Sequence, residues 1–232
     1  SPGGRAGRSG PPRDTEPVSS SGPVPADFVR RYTRLERPAL VPEVQLHVAA
    51  DVVALWEAME SEQVGPAEEP PFWAAAWPGG QALARYVLDH PEVVAGRSVL
   101  DLGAGSGLVA VAAALAGART VVASDPDPYS ATAVAVNAEA NGVAPIAVVG
   151  DVLDAEPPDV DVILAGDVCY DRAMTERVLP FLGRAWLGGA VVLLGDPGRP
   201  YVPREGLVAA AAYDVPDTEG PLVRRTTVWR LP

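Results

Sequence analysis

From position 99 the chain reads Val-Leu-Asp-Leu-Gly-Ala-Gly-Ser-Gly, so Asp101 precedes three glycines, Gly103, Gly105 and Gly107, at alternate positions. Glycine tolerates left-handed dihedrals and lets a ligand approach main-chain N–H groups closely, so the run predicts a nucleoside-binding turn between a strand and a helix. A dinucleotide turn would carry its third glycine three residues after the second, at position 108, which is leucine here. Asp101 would repel a pyrophosphate and attract the ammonium of an amino-acid moiety. Asp125, about 20 residues on, stands where an acid accepts hydrogen bonds from ribose hydroxyls. Asp151 is placed to meet an adenine amine. Any one of these aspartates could be a helix cap or a turn residue. Three of them at successive strand ends, beside this turn, describe a site for a cationic nucleoside, with Ala104, Pro126, Val152 and Gly166 expected on the same wall.

Such a site needs strands that end where the acids stand. From residue 98 short β-branched runs alternate with alanine-rich helical stretches. Strands are expected over 98–102, 120–124, 146–149, 160–165 and 190–195, and helices over 107–116, 128–140 and 173–184. This alternation predicts an α/β fold with a seven-stranded, mostly parallel sheet and helices on both faces, closed by an antiparallel pair over 207–215 and 222–231. Upstream, the spacing of Phe28, Tyr32 and Leu35 predicts a short amphipathic helix ending near Pro38, residues 43–48 alternate as a strand, and 51–59 read as a helix capped by Asp51. A Pro- and Trp-rich connection over 68–80 leads into a helix over 81–89. Residues 26–90 are therefore expected to form an N-terminal helical cap and Trp-rich segment on a single domain, 26–232, whose sheet occupies 97–232. Residues 1–25, rich in Ser, Gly, Pro and Arg, are expected to be a disordered tail.

Composition removes several functions. The 232 residues carry a formal net charge of −12, which argues against a partner held by phosphate neutralisation. All 18 basic residues are arginine, so the chain has no lysine of its own to modify. Cys169 is the only cysteine, and His47 and His90 are far apart, so neither an intramolecular disulfide nor a zinc site of ordinary ligands is expected. No apolar run reaches the ~20 residues of a membrane span, and no secretory signal is evident, so a monomer in the cytoplasm is the expectation.

The block from Val99 to Asp125 resembles the cofactor site of the Rossmann-like, seven-stranded S-adenosylmethionine-dependent methyltransferases. Pro71-Phe72-Trp73, Trp77-Pro78-Gly79-Gly80 and Asp167-Val168-Cys169-Tyr170 are similar to the protein-lysine methyltransferases marked by an Asp-x-x-Tyr motif. Within that group the chain most resembles the methyltransferases of the electron-transfer flavoprotein β subunit, over about residues 28–231, including Gly195-Asp196-Pro197-Gly198-Arg199 and the closing Arg224-Arg225-Thr226-Thr227-Val228-Trp229. The resemblance implies S-adenosylmethionine as cofactor and that flavoprotein subunit as protein substrate. Rival readings are an N-methyltransferase of a small-molecule amine or of a ribosomal protein, and a non-catalytic cofactor-binding partner protein.

In an open α/β sheet the reacting centre lies beyond the carboxyl ends of the strands, where Asp167 is expected with Tyr170 three residues later. A carboxylate there can bind and orient an ammonium, whereas methyltransferases of planar nitrogens typically carry Asn-Pro-Pro-Tyr. Cys169 is expected to be a small buried hydrophobe. The resemblance implies that Trp77 covers the cofactor. Trp73 either lines the acceptor entrance or packs inside, and Arg199 either contacts a substrate or is a solvated loop charge. Arg30, Arg31, Arg34 and Arg37 form a basic run read as a solvated helix face or a docking strip.

Overall fold

The computed structural model describes residues 23–67, 69–216 and 222–232. Its centre is a seven-stranded sheet built from β3 (Ser98–Leu102), β4 (Thr120–Ser124), β5 (Ala147–Val149), β6 (Val162–Gly166), β7 (Val191–Asp196), β8 (Val208–Pro216) and β9 (Val223–Arg230), in the order β5-β4-β3-β6-β7-β9-β8. β3 to β7 run parallel and β9 returns antiparallel between β7 and β8. The order reverses beside β3, the place where an open sheet forms a ligand crevice. β3 and β6 are apolar almost throughout because both faces are covered.

Alternate residues of these strands face different helices. Leu100, Ile163 and Leu194 pack on Val178, Phe181 and Leu182 of α6 (Arg172–Leu187). Val99, Leu164 and Leu193 pack on Ala82, Leu83 and Val87 of α3 (Pro78–Asp89), with Val109 and Ala113 of α4 (Leu108–Leu115) beside them. Val134 and Ala138 of α5 (Pro128–Ala140) extend that layer over Ala123. The α/β architecture and the terminal antiparallel pair match the expectation, and strand and helix limits differ from it by a few residues. α3 begins at Pro78 and not at 81, since proline fits the first helical position, where no N–H donor is needed.

The N-terminal segment departs further. α1 (Ala26–Tyr32) stops before Leu35, and β1 (Thr33–Glu36) pairs with β2 (Leu46–Ala49) in a two-stranded hairpin. Thr33 Oγ1 donates to Val29 O at 2.6 Å and so occupies a carbonyl of the last helical turn, while Leu35 is 47% exposed and has no core to join. The basic run is therefore not one helix face: Arg30 pairs with Glu139, Arg31 with Glu62, Arg34 with Glu36, and Arg37 donates to Pro42 O. α2 (Val52–Glu62) is capped by Asp51, as expected, through the N–H groups of Val53 and Ala54. Phe28, Leu55, Met59 and Trp73 close this cap against Tyr129 and Ala133 of α5.

Residues 1–22 of the expected tail lie outside the described residues. Val24, which the sequence reading also assigns to the tail, is buried in the cap, and its carbonyl accepts from Thr132 Oγ1 at 2.8 Å. Among the described residues no helix is long and apolar enough to cross a membrane, and no cluster of histidine, cysteine or acidic side chains could hold a metal ion.

Candidate active site

A cavity of about 380 Å³ opens at the carboxyl ends of β3, β4 and β6, under the segment that carries Phe72, Trp73 and Trp77. Its floor is the glycine turn. Gly103 and Gly105 line it with φ of 67° and 51°, dihedrals that side chains disfavour, and a Cβ on Gly103 would lie 2.8 Å from Val168. Gly107 shares the left-handed geometry but does not line the cavity. A Cβ there would meet Val134 at 2.9 Å, so the third glycine lets α4 approach α5. Ala104 sits on a small adjoining pocket and packs towards the helices.

The three strand-end acids differ in state. Asp101 is buried at the boundary of that adjoining pocket, and its Oδ2 accepts from Ala110 N at 2.9 Å inside α4. Burial raises its carboxyl to about pH 7, against the pull of that N–H. Asp125 lines the cavity beside Pro126 and accepts from Gly105 N at 2.8 Å and Asp127 N at 2.9 Å; burial raises it too. Asp151 also lines the cavity, with Oδ1 on Leu153 N and Oδ2 on Arg177 Nη2 at 2.8 Å. Its neighbour Val152 does not line it: the side chain packs into the α6 core, and Leu153 takes the wall position. Asp127, also on the wall, is raised to about 6 by burial. The sequence reading missed it because an aspartate before Pro128 reads as a helix cap, which it also is, through Tyr129 N.

At the far wall stand Gly166, Asp167 and Tyr170. Asp167 has φ 58°, a left-handed conformation uncommon outside glycine, and such strain collects at functional positions. Its N–H donates to Gly195 O at 2.9 Å, Oδ2 accepts from Gly80 N in the first turn of α3 at 3.0 Å, and Oδ1 accepts from Arg199 Nη2 at 3.1 Å. Burial raises its carboxyl to about 6, opposed by Arg199 and the Gly80 N–H. Arg199 is thus turned inward onto the cavity wall and is not a solvated loop charge. Gly79, Gly166 and Gly195 permit this arrangement, since a Cβ on any of them would collide with backbone of the facing segment.

Tyr170 is 42% exposed at the mouth, and its ring centroid lies 6.4 Å from that of Phe72, which is 45% exposed. Phe72 is a rim residue the sequence reading did not single out, for want of any pattern separating it from its Pro- and Trp-rich neighbours. Trp77 donates Nε1–H to Phe72 O at 2.7 Å and lines the cavity. Trp73 resolves both of its expected alternatives, being 1% exposed and stacked on Tyr129 while one edge reaches the cavity wall. Cys169 is buried and its thiol is raised to about 11 by burial, as suits an inert hydrophobe.

The electron transfer flavoprotein beta subunit lysine methyltransferase of Danio rerio is 41% identical over 201 residues, 83% of this chain and 77% of the relative. This chain belongs to the electron transfer flavoprotein beta subunit lysine methyltransferase family. The Homo sapiens member is 40% identical over 164 residues, and the chain spans 62% of its length. The family model for ribosomal protein L11 methyltransferase (PrmA) matches residues 81–168, from α3 to the loop after β6. A putative RNA methyltransferase from Pyrococcus horikoshii, 18% identical with a TM-score of 0.52 over 70% of this chain and 90% of its own, shares the fold. As a member of this family the chain is an S-adenosylmethionine-dependent methyltransferase.

Proposed function

We propose that the protein methylates lysine side chains of proteins, with the β subunit of electron transfer flavoprotein as substrate. The observation that carries this reading is Asp167: a strained, buried carboxylate on the wall between the glycine turn and the aromatic mouth. The names of the relatives support the substrate.

The residues fit the cofactor. The bare floor at Gly103 and Gly105 offers main chain to a close-packed ligand, and the volume is within the ~300–1,000 Å³ of small-molecule sites. Asp101 suits the ammonium of the methionyl end, Asp125 the ribose hydroxyls, and Asp151 the adenine amine, with Trp77 as cover. S-adenosylmethionine bound there supplies an electrophilic methyl group.

The chain's own work is positioning and charge. A lysine amine reaches the mouth as an ammonium, with a pKa near ~10.4 in water. Phe72 and Tyr170 flank its aliphatic stem, and their exposure leaves room for a side chain presented by a large partner. Asp167 binds the ammonium and holds the nitrogen towards the cavity while its proton leaves to water. The Tyr170 phenol, raised by burial, stays protonated at neutral pH and can donate. A net charge of −12 favours a cationic acceptor over nucleic acid. We also propose that the enzyme works as a monomer in the cytoplasm.

Incubation with methyl-labelled cofactor and recombinant flavoprotein, followed by peptide mass spectrometry, is expected to find label on lysine. Asp167→Asn, which keeps an acceptor for Gly80 N–H but loses the charge, should lower kcat/KM at least ~10²-fold with cofactor affinity nearly unchanged. Flavoprotein whose lysines stay unlabelled would overturn the substrate and leave the enzyme class in place.

A further inference from the structure

Arg199 holds the carboxylate that the proposed reaction reserves for the acceptor amine. Its Nη2 donates to Asp167 Oδ1 at 3.1 Å on the cavity wall. Its Nε faces a second acid, Asp196 at the end of β7, with Asp196 Oδ2 4.0 Å away. Both of those atoms, Arg199 Nε and Asp196 Oδ2, are buried without a hydrogen-bond partner among the described residues. Asp196 is 1% exposed, and its other oxygen is fixed by the N–H groups of Gly198 and Arg199, each at 2.7 Å. A buried carboxylate oxygen and a buried guanidinium N–H left unmatched cost free energy that a shift of about 1 Å would recover.

We propose that Arg199 is a positioning residue that occupies Asp167 in place of the acceptor ammonium and moves onto Asp196 when the acceptor arrives. The Asp167 carboxylate then faces a cationic partner in both states. With the acceptor away, one guanidinium faces two carboxylates; with it bound, two cations meet two carboxylates. A buried carboxylate at the reacting centre is never left bare, and a neutral side chain that cannot displace a guanidinium is rejected. The inference rests on the lysine reading and assigns the specificity of that site.

Several groups set the charge of Asp167 besides Arg199. Asp196 faces it from the β7 turn and the Gly80 N–H from the start of α3, while Asp101 only shares the adjoining pocket with it and Tyr170 the cavity wall. Burial raises its carboxyl, and Arg199 opposes that rise while Asp196 reinforces it. Removing the guanidinium therefore moves Asp167 upward in pH, and neutralising Asp196 moves it downward.

The test measures kcat and KM for recombinant flavoprotein at saturating cofactor between pH 5.5 and 9.5, in wild type, Arg199→Gln, Arg199→Lys and Asp196→Asn. In parallel, n-butylammonium is titrated calorimetrically into each enzyme loaded with S-adenosylhomocysteine. Arg199→Gln should move the acid limb of kcat/KM up by about one pH unit, and Arg199→Lys should restore most of it. Above that limb the Gln variant should bind n-butylammonium more tightly than wild type, because no internal cation competes. Asp196→Asn should raise the acceptor KM about tenfold with kcat and cofactor affinity unchanged, because Arg199 has lost its second seat. An Arg199→Gln enzyme with the wild-type limb and amine affinity, or an Asp196→Asn enzyme with the wild-type KM and amine affinity, overturns the proposal. The amine titration separates the two failures: unlabelled flavoprotein with the expected shifts in amine binding removes only the substrate, whereas wild type that binds no amine at any pH removes both readings.

Discussion

Asp101 shows what a single residue can hold in reserve. Its carboxyl is fully enclosed and raised to about 7, so the folded protein prefers it protonated, whereas in the unfolded chain it ionises near 3.8. That preference stabilises the fold fully below the unfolded value and is lost as pH rises from there through about 7. Asp101→Asn keeps the acceptor for Ala110 N–H and cannot ionise, so it should match wild type in Tm near pH 4 and exceed it by several degrees at pH 8, on the scale of ~1.4 kcal/mol per pH unit. At pH 8, where the wild-type carboxyl is ionised, the same variant should lose at least about tenfold in cofactor affinity, since the methionyl ammonium would meet a neutral amide. An equal Tm difference at both pH values would show that the carboxylate is not under strain. Asp101, Asp125 and Asp167 were all legible as a class from the sequence, because an acid at the end of an apolar run is conspicuous. Their individual states were not, since burial and partners such as Arg199 depend on chain far away.

At the scale of elements, the glycine turn that looks like one motif divides into two jobs. Gly105 faces the cavity, where a Cβ would find ordinary contacts at 3.8 Å from Phe72 O and Trp73 Cα. Gly107 faces α5, where a Cβ would press on Val134 at 2.9 Å. Gly105→Ala should therefore cost only the ~1 kcal/mol of a left-handed alanine while narrowing the cofactor cavity and weakening binding. Gly107→Ala should cost ~2–4 kcal/mol in chemical denaturation, from the same strain plus overpacking, with cofactor affinity in the surviving folded protein close to wild type. The reverse assignment of losses would refute this division. Spacing reveals where a chain can turn left-handed, but which neighbour the bare Cα then faces is settled by packing between α4 and α5. β1 teaches the same lesson: Phe28, Tyr32 and Leu35 keep helical spacing, yet pairing with β2 claims the last of them.

The whole molecule is a sheet crevice closed by a cap, and the two were legible to different degrees. β3 to β7 could be read because each strand and the helix after it are signalled within a few residues. The closure joins distant chain: Arg199 to Asp167, Asp167 to Gly80, Trp73 to Tyr129. No local pattern announces such contacts. The cap segment supplies Phe72, Trp73 and Trp77 to the cavity wall, so cofactor binding and the seating of the cap on α5 are expected to be coupled. S-adenosylhomocysteine at ~100 times its Kd should add ~2.7 kcal/mol, a Tm rise of about 5–11 °C for a chain of this size. Trp73→Ala removes a buried ring stacked at 5.6 Å on Tyr129 and should itself cost ~3–5 kcal/mol. Its thermal shift at the same ligand concentration should then fall to less than half of the wild-type value, because part of the binding free energy goes to re-seating the cap. Trp77→Ala, which removes a ring that lines the cavity but is not buried in the cap core, should leave ligand-free Tm near wild type and lose the shift alone. A Trp73→Ala protein that keeps the full ligand-induced shift would mean that cap and crevice fold independently.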